Sequence, residues 1–236
     1  MIQIAILAGV ALGCVLNWAS DLLPRYAVEG VRMTPLRFEC ALARLPRWLL
    51  HLPDSNIPGQ WYWLQVITET VCGVAVGLLY ARYGISPIGV LLIVGFAYFW
   101  LVALIDLKYQ LVLNVMTYPA ILGTLAIHLF VFNSNFLQVA LGGIMAYGIF
   151  ALVSYLRPGE LGGGDTKLAA LIGLIFGFPQ ILIALLLGTG IGGVLSVLFF
   201  WRRARVGKSK KGFFIPYAPF LCLGAMLIIL YQPPIM

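Results

Sequence analysis

Two aspartates stand beside apolar segments of this 236-residue chain. Asp106 closes one apolar run, and Asp165 follows three consecutive glycines. A carboxylate next to a long apolar segment is costly and usually marks a functional site. Two carboxyl groups a few ångströms apart cannot both ionise cheaply, so such a pair would hold one proton. One carboxyl could then activate a water molecule while the other donates a hydrogen bond to a carbonyl, which predicts hydrolysis.

Each acid also has a purely structural interpretation. Asp106 could be a solvated charge at a helix end, paired with Lys108. Gly162-Gly163-Gly164-Asp165 could be an ordinary loop in which the aspartate caps the next helix. Alternatively, the glycines could adopt positive φ and let an extended peptide backbone lie close to the acid. Only the two acids taken together favour a catalytic pair.

The composition indicates that these acids belong to a membrane protein. Hydrophobic residues make up 62% of the chain, charged residues only 10%, and the mean hydropathy is +1.00. Soluble domains carry about 25% charged residues. We therefore predict an all-α fold, a polytopic membrane helical bundle with about eight transmembrane helices. The first segment begins at Met1 without a basic region or a small-residue cleavage site, so we expect a retained span.

The apolar segments can be drawn as eight spans, with boundaries uncertain by a few residues. They are Met1–Trp18, Trp61–Tyr80, Ile88–Ile105, Val115–Val131, Leu137–Leu156, Thr166–Phe176, Gln180–Trp201 and Pro216–Tyr231. We predict two parts: residues 1–60, the first span plus a short basic cytoplasmic segment, and residues 61–236, the catalytic core.

The distribution of positive charge predicts the orientation. Of the 15 Lys and Arg residues, all but Arg82 fall on one side of this drawing. Because positive loops face the cytoplasm, both termini should be outside and both acids at the cytoplasmic face. The same distribution explains the net charge of +7 without a nucleic-acid partner. We expect contact with membrane lipid instead.

The sixth span is informative because it is short. Between Asp165 and the break at Gly177 there is room for about 11–13 helical residues, or ~16–20 Å. The hydrocarbon core is ~30 Å thick, so either the bilayer thins here or the glycine run lies in a water-lined notch.

Two further charged residues lie near these motifs. Lys167 should point away from Asp165, about 200° around the helix, and reach lipid headgroups. Glu69 lies inside the second span, where it could make packing hydrogen bonds or support the site. We group Gly162, Gly163, Gly164, Lys167 and Glu69 as predicted site-shaping residues.

At these positions the chain resembles the type IV prepilin peptidases, membrane aspartyl proteases of the GxGD type. Leu161–Leu168 is similar to the family's second aspartate motif and Ala103–Leu111 to its first. The segment Ile215–Phe220 resembles the start of the family's last span. The resemblance implies that Asp106 and Asp165 are the catalytic pair.

The implied activity is cleavage of a basic leader from prepilins or pseudopilins, at the cytoplasmic face of the inner (plasma) membrane. Bifunctional members of the family carry paired cysteines that hold zinc, whereas the corresponding loop here offers only Cys40. We therefore expect no metal, and no cofactor for proteolysis. S-adenosylmethionine-dependent N-methylation stays open, because none of its residues can be mapped. Many members also have Pro-Asp where this chain has Leu113-Asn114. The resemblance leaves the oligomeric state unknown.

Two other functions fit parts of the sequence. A presenilin-type intramembrane protease would need a Tyr-Asp motif and a Pro-Ala-Leu segment, but here the first acid follows Ile105. A proton- or cation-coupled transporter would show repeated halves and charges at the bilayer midplane, whereas these acids fall at one face.

Overall fold

The computed structural model describes residues 1–27, 59–130, 135–158, 161–205 and 217–231. Within these ranges the secondary structure is entirely helical, so the predicted all-α fold class is confirmed. The described helices are α1 Ile2–Ala27, α2 Gly59–Tyr83, α3 Pro87–Tyr109, α4 Asn114–Phe130, α5 Phe136–Leu156, α6 Gly163–Phe176, α7 Gln180–Arg205 and α8 Ala218–Tyr231.

Each predicted span corresponds to one of these helices. The largest difference is at α1, which continues to Ala27, through Pro24, instead of ending at Trp18. The continuation buries Ser20 and Asp21, so polar residues extend the helix here where hydropathy alone predicts its end.

Five of the described helices are long and apolar enough to cross a membrane, namely α1, α2, α3, α5 and α7. The apolar helices α4 and α8 are shorter, with 17 and 14 residues. Helix α6 has 14 residues, or about 21 Å at 1.5 Å per residue, so the predicted short sixth helix is confirmed. The side of the membrane on which the termini lie stays a prediction.

The chain divides into two compact units, Met1–Leu101 and Val102–Met236. In the first unit α1 packs on α2 through small residues. A Cβ atom on Gly13 would lie 2.7 Å from the Cα of Glu69, so the two backbones approach closely. Glycines at such contacts are typical of helix pairs in membranes. The predicted division at residue 60 stays a prediction.

In the second unit α6 lies at the centre and packs against α4, α5, α7 and α8. Its contact with α5 is made by Gly142 and Gly173, because a Cβ on either residue would meet the backbone oxygen of the other. Gly188 and Gly224 bring α7 and α8 together in the same way. The helix that begins at the glycine run is therefore the core of this unit.

Candidate active site

Asp106 lies in the last turn of α3, within the second unit. The turn closes at Gln110, whose backbone N–H donates to the Asp106 carbonyl over 2.8 Å and whose φ is +54°. The Asp106 side chain is only 5% exposed, which rules out the interpretation as a solvated helix-end charge. Its Oδ2 atom is buried without a hydrogen-bond partner among the described residues. A buried acceptor of this kind is costly as an anion and favours a carboxyl that holds or shares a proton.

Asp165 lies in the first turn of α6, three residues after the N-cap. The N-cap is Gly162, with φ −72° and ψ 142°, so the predicted alternative of an aspartate cap is wrong. Burial raises the pKa of the Asp165 carboxyl from 3.8 to about 6, and a hydrogen bond from the Gly162 backbone N–H acts against this rise. This bond is one half of a capping box. Like the helix dipole, it favours the ionised form of Asp165.

The carboxyl groups of Asp106 and Asp165 are close enough to interact electrostatically. Helix α8 contributes a third element, since the backbone N–H of Ala218 interacts favourably with the Asp106 carboxylate. The free thiol of Cys222, one turn further along α8, lies within electrostatic range of both acids. The fold therefore brings together two acids from different helices, as the sequence predicts, and adds the beginning of α8.

The segment that follows Asp106 lies across the beginning of α6. A Cβ atom on Gly164 would lie 2.6 Å from the Cβ of Val112, whereas one on Gly163 would meet nothing within 4 Å. Glycine at position 164 thus makes room for the chain's own Val112, whereas the predicted approach of an extended peptide to the acid stays a prediction. Positive φ is not the reason, because the described glycines with positive φ are Gly84 and Gly177.

The ammonium group of Lys167 binds another helix. The Nζ atom donates a 2.8 Å hydrogen bond to Oδ1 of Asn114, the first residue of α4. It also lies 4.8 Å from the centroid of the Tyr118 ring. The ammonium predicted to reach lipid headgroups instead connects α6 to α4.

Glu69 is fully buried on α2, in the first unit. Its neighbours across the α1–α2 contact include Gly13, and the residue before it, Thr68, is also fully buried. The structure thus places Glu69 in the packing between these two helices. Its predicted contribution to the site stays a prediction.

No three His, Cys, Asp or Glu side chains are grouped as a metal site in the described part of the chain. Cys40, the cysteine on which the zinc prediction depends, lies outside the described residues. The predicted absence of a metal and of a cofactor stays a prediction, and no chemical step is assigned to zinc or to S-adenosylmethionine.

Sequence reasoning missed the contacts of four residues. Val112 lies against Gly164, Asn114 binds Lys167, and Ala218 and Cys222 interact with the acids. For Ala218 a signal was present, because the segment around it resembles a family motif. For Val112 the signal was the three-glycine run, which indicated a close neighbour without naming it. Contacts between segments this far apart in the sequence depend on the tertiary fold.

Comparison with known proteins bears on the same region. The model of the type IV leader peptidase family matches residues 93–197. This stretch contains Asp106, Asp165 and the contacts between Lys167 and Asn114. The resemblance predicted from the aspartate motifs is thereby confirmed.

Three curated relatives are each named prepilin leader peptidase/N-methyltransferase. The protein from Pseudomonas aeruginosa is 28% identical over 134 residues, which cover 55% of this chain and 45% of the relative. The one from Stutzerimonas stutzeri is 24% identical over 171 residues, covering 70% and 57%. The one from Bacillus subtilis is 31% identical over 94 residues, covering 39% and 35%. The matches thus span about half the length of the first two relatives. No solved structure matches the chain.

Proposed function

We propose that this protein is a membrane aspartic endopeptidase that removes the basic leader from type IV prepilins or pseudopilins. The observation that carries the proposal is the electrostatic interaction between Asp106 and Asp165, two acids from separate helices. Both lie in the stretch that matches the type IV leader peptidase family. The names of the relatives supply the substrate class.

The surroundings of the two acids favour different roles. Asp165 lies in a first helical turn and accepts the Gly162 N–H, so it is the better anion and the better general base. Asp106 is more deeply buried and has an unpaired Oδ2, so it is the better holder of the shared proton. We therefore assign Asp165 as the base and Asp106 as the acid. The apparent titration values belong to the pair and not to either residue alone.

Hydrolysis by this pair needs only water and the peptide. Asp165 takes a proton from the water molecule as its oxygen forms a bond to the scissile carbonyl carbon. Asp106 gives its proton to the carbonyl oxygen, which stabilises the tetrahedral intermediate. When the intermediate collapses, the C–N bond breaks and the leaving nitrogen takes the proton held by Asp165. The returning carbonyl gives its proton back to Asp106, which restores the pair.

The distribution of positive charge supports a reaction at the cytoplasmic face of the plasma membrane. All Lys and Arg residues except Arg82 fall on the side of the bilayer that carries both acids in the predicted topology. A prepilin leader is basic and lies on the same side before cleavage. The apolar helix of the substrate would lie in the bilayer beside the protein.

The test is leader cleavage by purified protein reconstituted with a prepilin. We expect Asp106→Asn and Asp165→Asn each to lower cleavage by at least about a thousandfold, because an amide cannot exchange the proton. Thermal unfolding of both variants serves as the control for folding. If either variant still cleaves at a rate near that of the wild type, that residue is not catalytic.

The pH dependence follows from the same assignment. Asp165 must be ionised to act as the base, and its pKa is raised to about 6. Cleavage should therefore increase as the pH rises through about 6. An acid limb near pH 4, the ordinary range for an exposed carboxyl, would contradict the buried pair.

The names of the relatives also include N-methyltransferase. No residue of this chain has been assigned to methyl transfer, so the proposal covers the peptidase reaction alone. Mass spectrometry of the cleaved product in the presence of S-adenosylmethionine measures the second activity directly.

A further inference from the structure

A second contact joins the two segments that carry the acids. Lys167 lies two positions after Asp165, on the first turns of α6, and Asn114 begins α4 after the short segment that follows Asp106. Their side chains meet through the 2.8 Å hydrogen bond from Nζ to Oδ1. Neither side chain contributes to the acid pair itself. The bond nevertheless joins the segment that follows Asp106 to the helix that carries Asp165.

Tyr118 adds a second point of attachment on α4. Asn114 and Tyr118 are four residues apart, so they share one face of the helix. The Lys167 ammonium binds the amide oxygen of one and lies 4.8 Å from the ring centroid of the other. A cation held by both an acceptor and an aromatic face has a defined position. The contact therefore fixes α4 against α6 more closely than a single exposed hydrogen bond would.

The chain is closely packed beside the Asn114–Lys167 contact. Val112 lies against Gly164 so closely that a Cβ there would be 2.6 Å away. Val112 and Asn114 flank Leu113, whose carbonyl accepts hydrogen bonds from the N–H groups of Met116 and Thr117. The segment between Asp106 and α4 is thus held at both its middle and its end. The Asn114–Lys167 bond and the Val112–Gly164 approach are thus two contacts that hold this segment against α6.

We propose that Asn114 and Lys167 are positioning residues that fix the separation of the Asp106 and Asp165 carboxyl groups. The proposal rests on the proposed function, in which these two groups share a proton. Because the interaction of two charges falls as they separate, a looser contact would weaken the coupling of the pair. The two apparent pKa values of the pair would then move closer together.

The experiment measures that coupling directly, without substrate. Protein labelled with ¹³C at the aspartate carboxyl carbons is titrated in detergent micelles, with Asp106→Asn and Asp165→Asn used to assign the signals. The variants are Lys167→Met, Asn114→Leu, the double variant and Asn114→Asp, which keeps an acceptor for the ammonium. Arg82→Met removes one positive charge from the predicted opposite side of the membrane and serves as the charge control.

We expect Lys167→Met and Asn114→Leu each to narrow the gap between the two apparent pKa values by about 0.5 or more. The double variant should narrow it no further, because both changes break one contact. Asn114→Asp should keep the wild-type gap, as should Arg82→Met. Where cleavage is measured, the first two variants should lower kcat about ten- to a hundredfold and leave KM within about twofold.

The outcomes separate this proposal from the proposed function. An unchanged gap in Lys167→Met and Asn114→Leu overturns the positioning role, even if both aspartates prove essential for cleavage. If the gap between the two pKa values narrows but the protein cleaves no prepilin, the positioning role holds and the proposed peptidase function is contradicted. A loss of thermal stability with an unchanged gap assigns the contact to folding alone and also overturns the proposal.

Discussion

At the scale of single residues, the site depends on how closely the segment after Asp106 lies against α6. Gly164 shows this most directly, because its missing side chain leaves the space that Val112 occupies. Gly163, its neighbour in the same helical turn, is open on the side where a Cβ would lie. Two adjacent glycines thus have different structural roles.

This difference gives a prediction. Gly164→Ala should lower leader cleavage at least about tenfold, because the new methyl group would displace Val112 or the first turn of α6 and with it Asp165. Gly163→Ala is the matched control and should retain activity, with a small gain in stability from the higher helix propensity of alanine. The measurement is kcat for each variant in one reconstituted assay.

A second-site change extends this test. Val112→Ala in the Gly164→Ala background should restore part of the activity, since it removes the atoms that the methyl group meets. Equal activity of the Gly163 and Gly164 variants would show that the close approach has no part in catalysis.

The acid pair could be predicted only from the two acids taken together, because each alone also has a structural interpretation, and its catalytic role stays a prediction. The residues around the pair were not predicted. Asn114, Val112 and Ala218 are ordinary residues whose importance comes from contacts with α6 and Asp106. Lys167 was predicted to reach lipid because helical geometry shows its direction and not what lies there.

At the scale of helices, α5 and α6 form the closest described contact in the second unit. A Cβ on Gly142 would meet the carbonyl oxygen of Gly173, and it would lie 2.7 Å from the Cα of Gly177. Backbone atoms cannot rotate away as side chains do, so the helices would have to separate. Small residues at such a contact let membrane helices pack by van der Waals forces.

Gly142→Ala should therefore destabilise the protein, by about 1–3 kcal/mol as for overpacking of a core. Gly148→Ala, on the same helix, is the control, since nothing lies within 4 Å of its Cβ position. Thermal unfolding in one detergent compares the two variants. A melting temperature for Gly142→Ala at or above that of Gly148→Ala would contradict the packing described here.

The helices were the part of the fold that the sequence predicted best. Long apolar runs exclude charge, and α2, α3 and α5 begin and end within a few residues of the predicted boundaries. Helix α1 departs most, because its last turns bury polar residues that hydropathy counts as a loop. Which helices touch was not predictable, since the glycine contacts join residues distant in the chain.

At the scale of the whole molecule, the open prediction is its orientation in the membrane. Ile85 lies between α2 and α3, and Tyr155 lies near the end of α5. Their side chains are 82% and 81% exposed, so they form a matched pair. In the predicted topology the first faces outward and the second faces the cytoplasm.

Cysteine labelling distinguishes the two sides. In intact cells a membrane-impermeant maleimide should modify Ile85→Cys, and it should reach Tyr155→Cys only after permeabilisation. The unaltered chain provides the background, in which the free thiols of Cys72 and Cys222 are buried. Modification of Tyr155→Cys in intact cells would show that the orientation, and with it the cytoplasmic site, is incorrect.

The central place of α6 has a consequence for the proposed catalysis. A helix enclosed by α4, α5, α7 and α8 cannot shift along its axis without breaking contacts on several sides. Asp165, on the first turn of α6, should therefore keep its position during the proposed reaction. The scissile bond would then have to reach Asp165, and a substrate that is helical near its cleavage point would have to unwind to expose that bond.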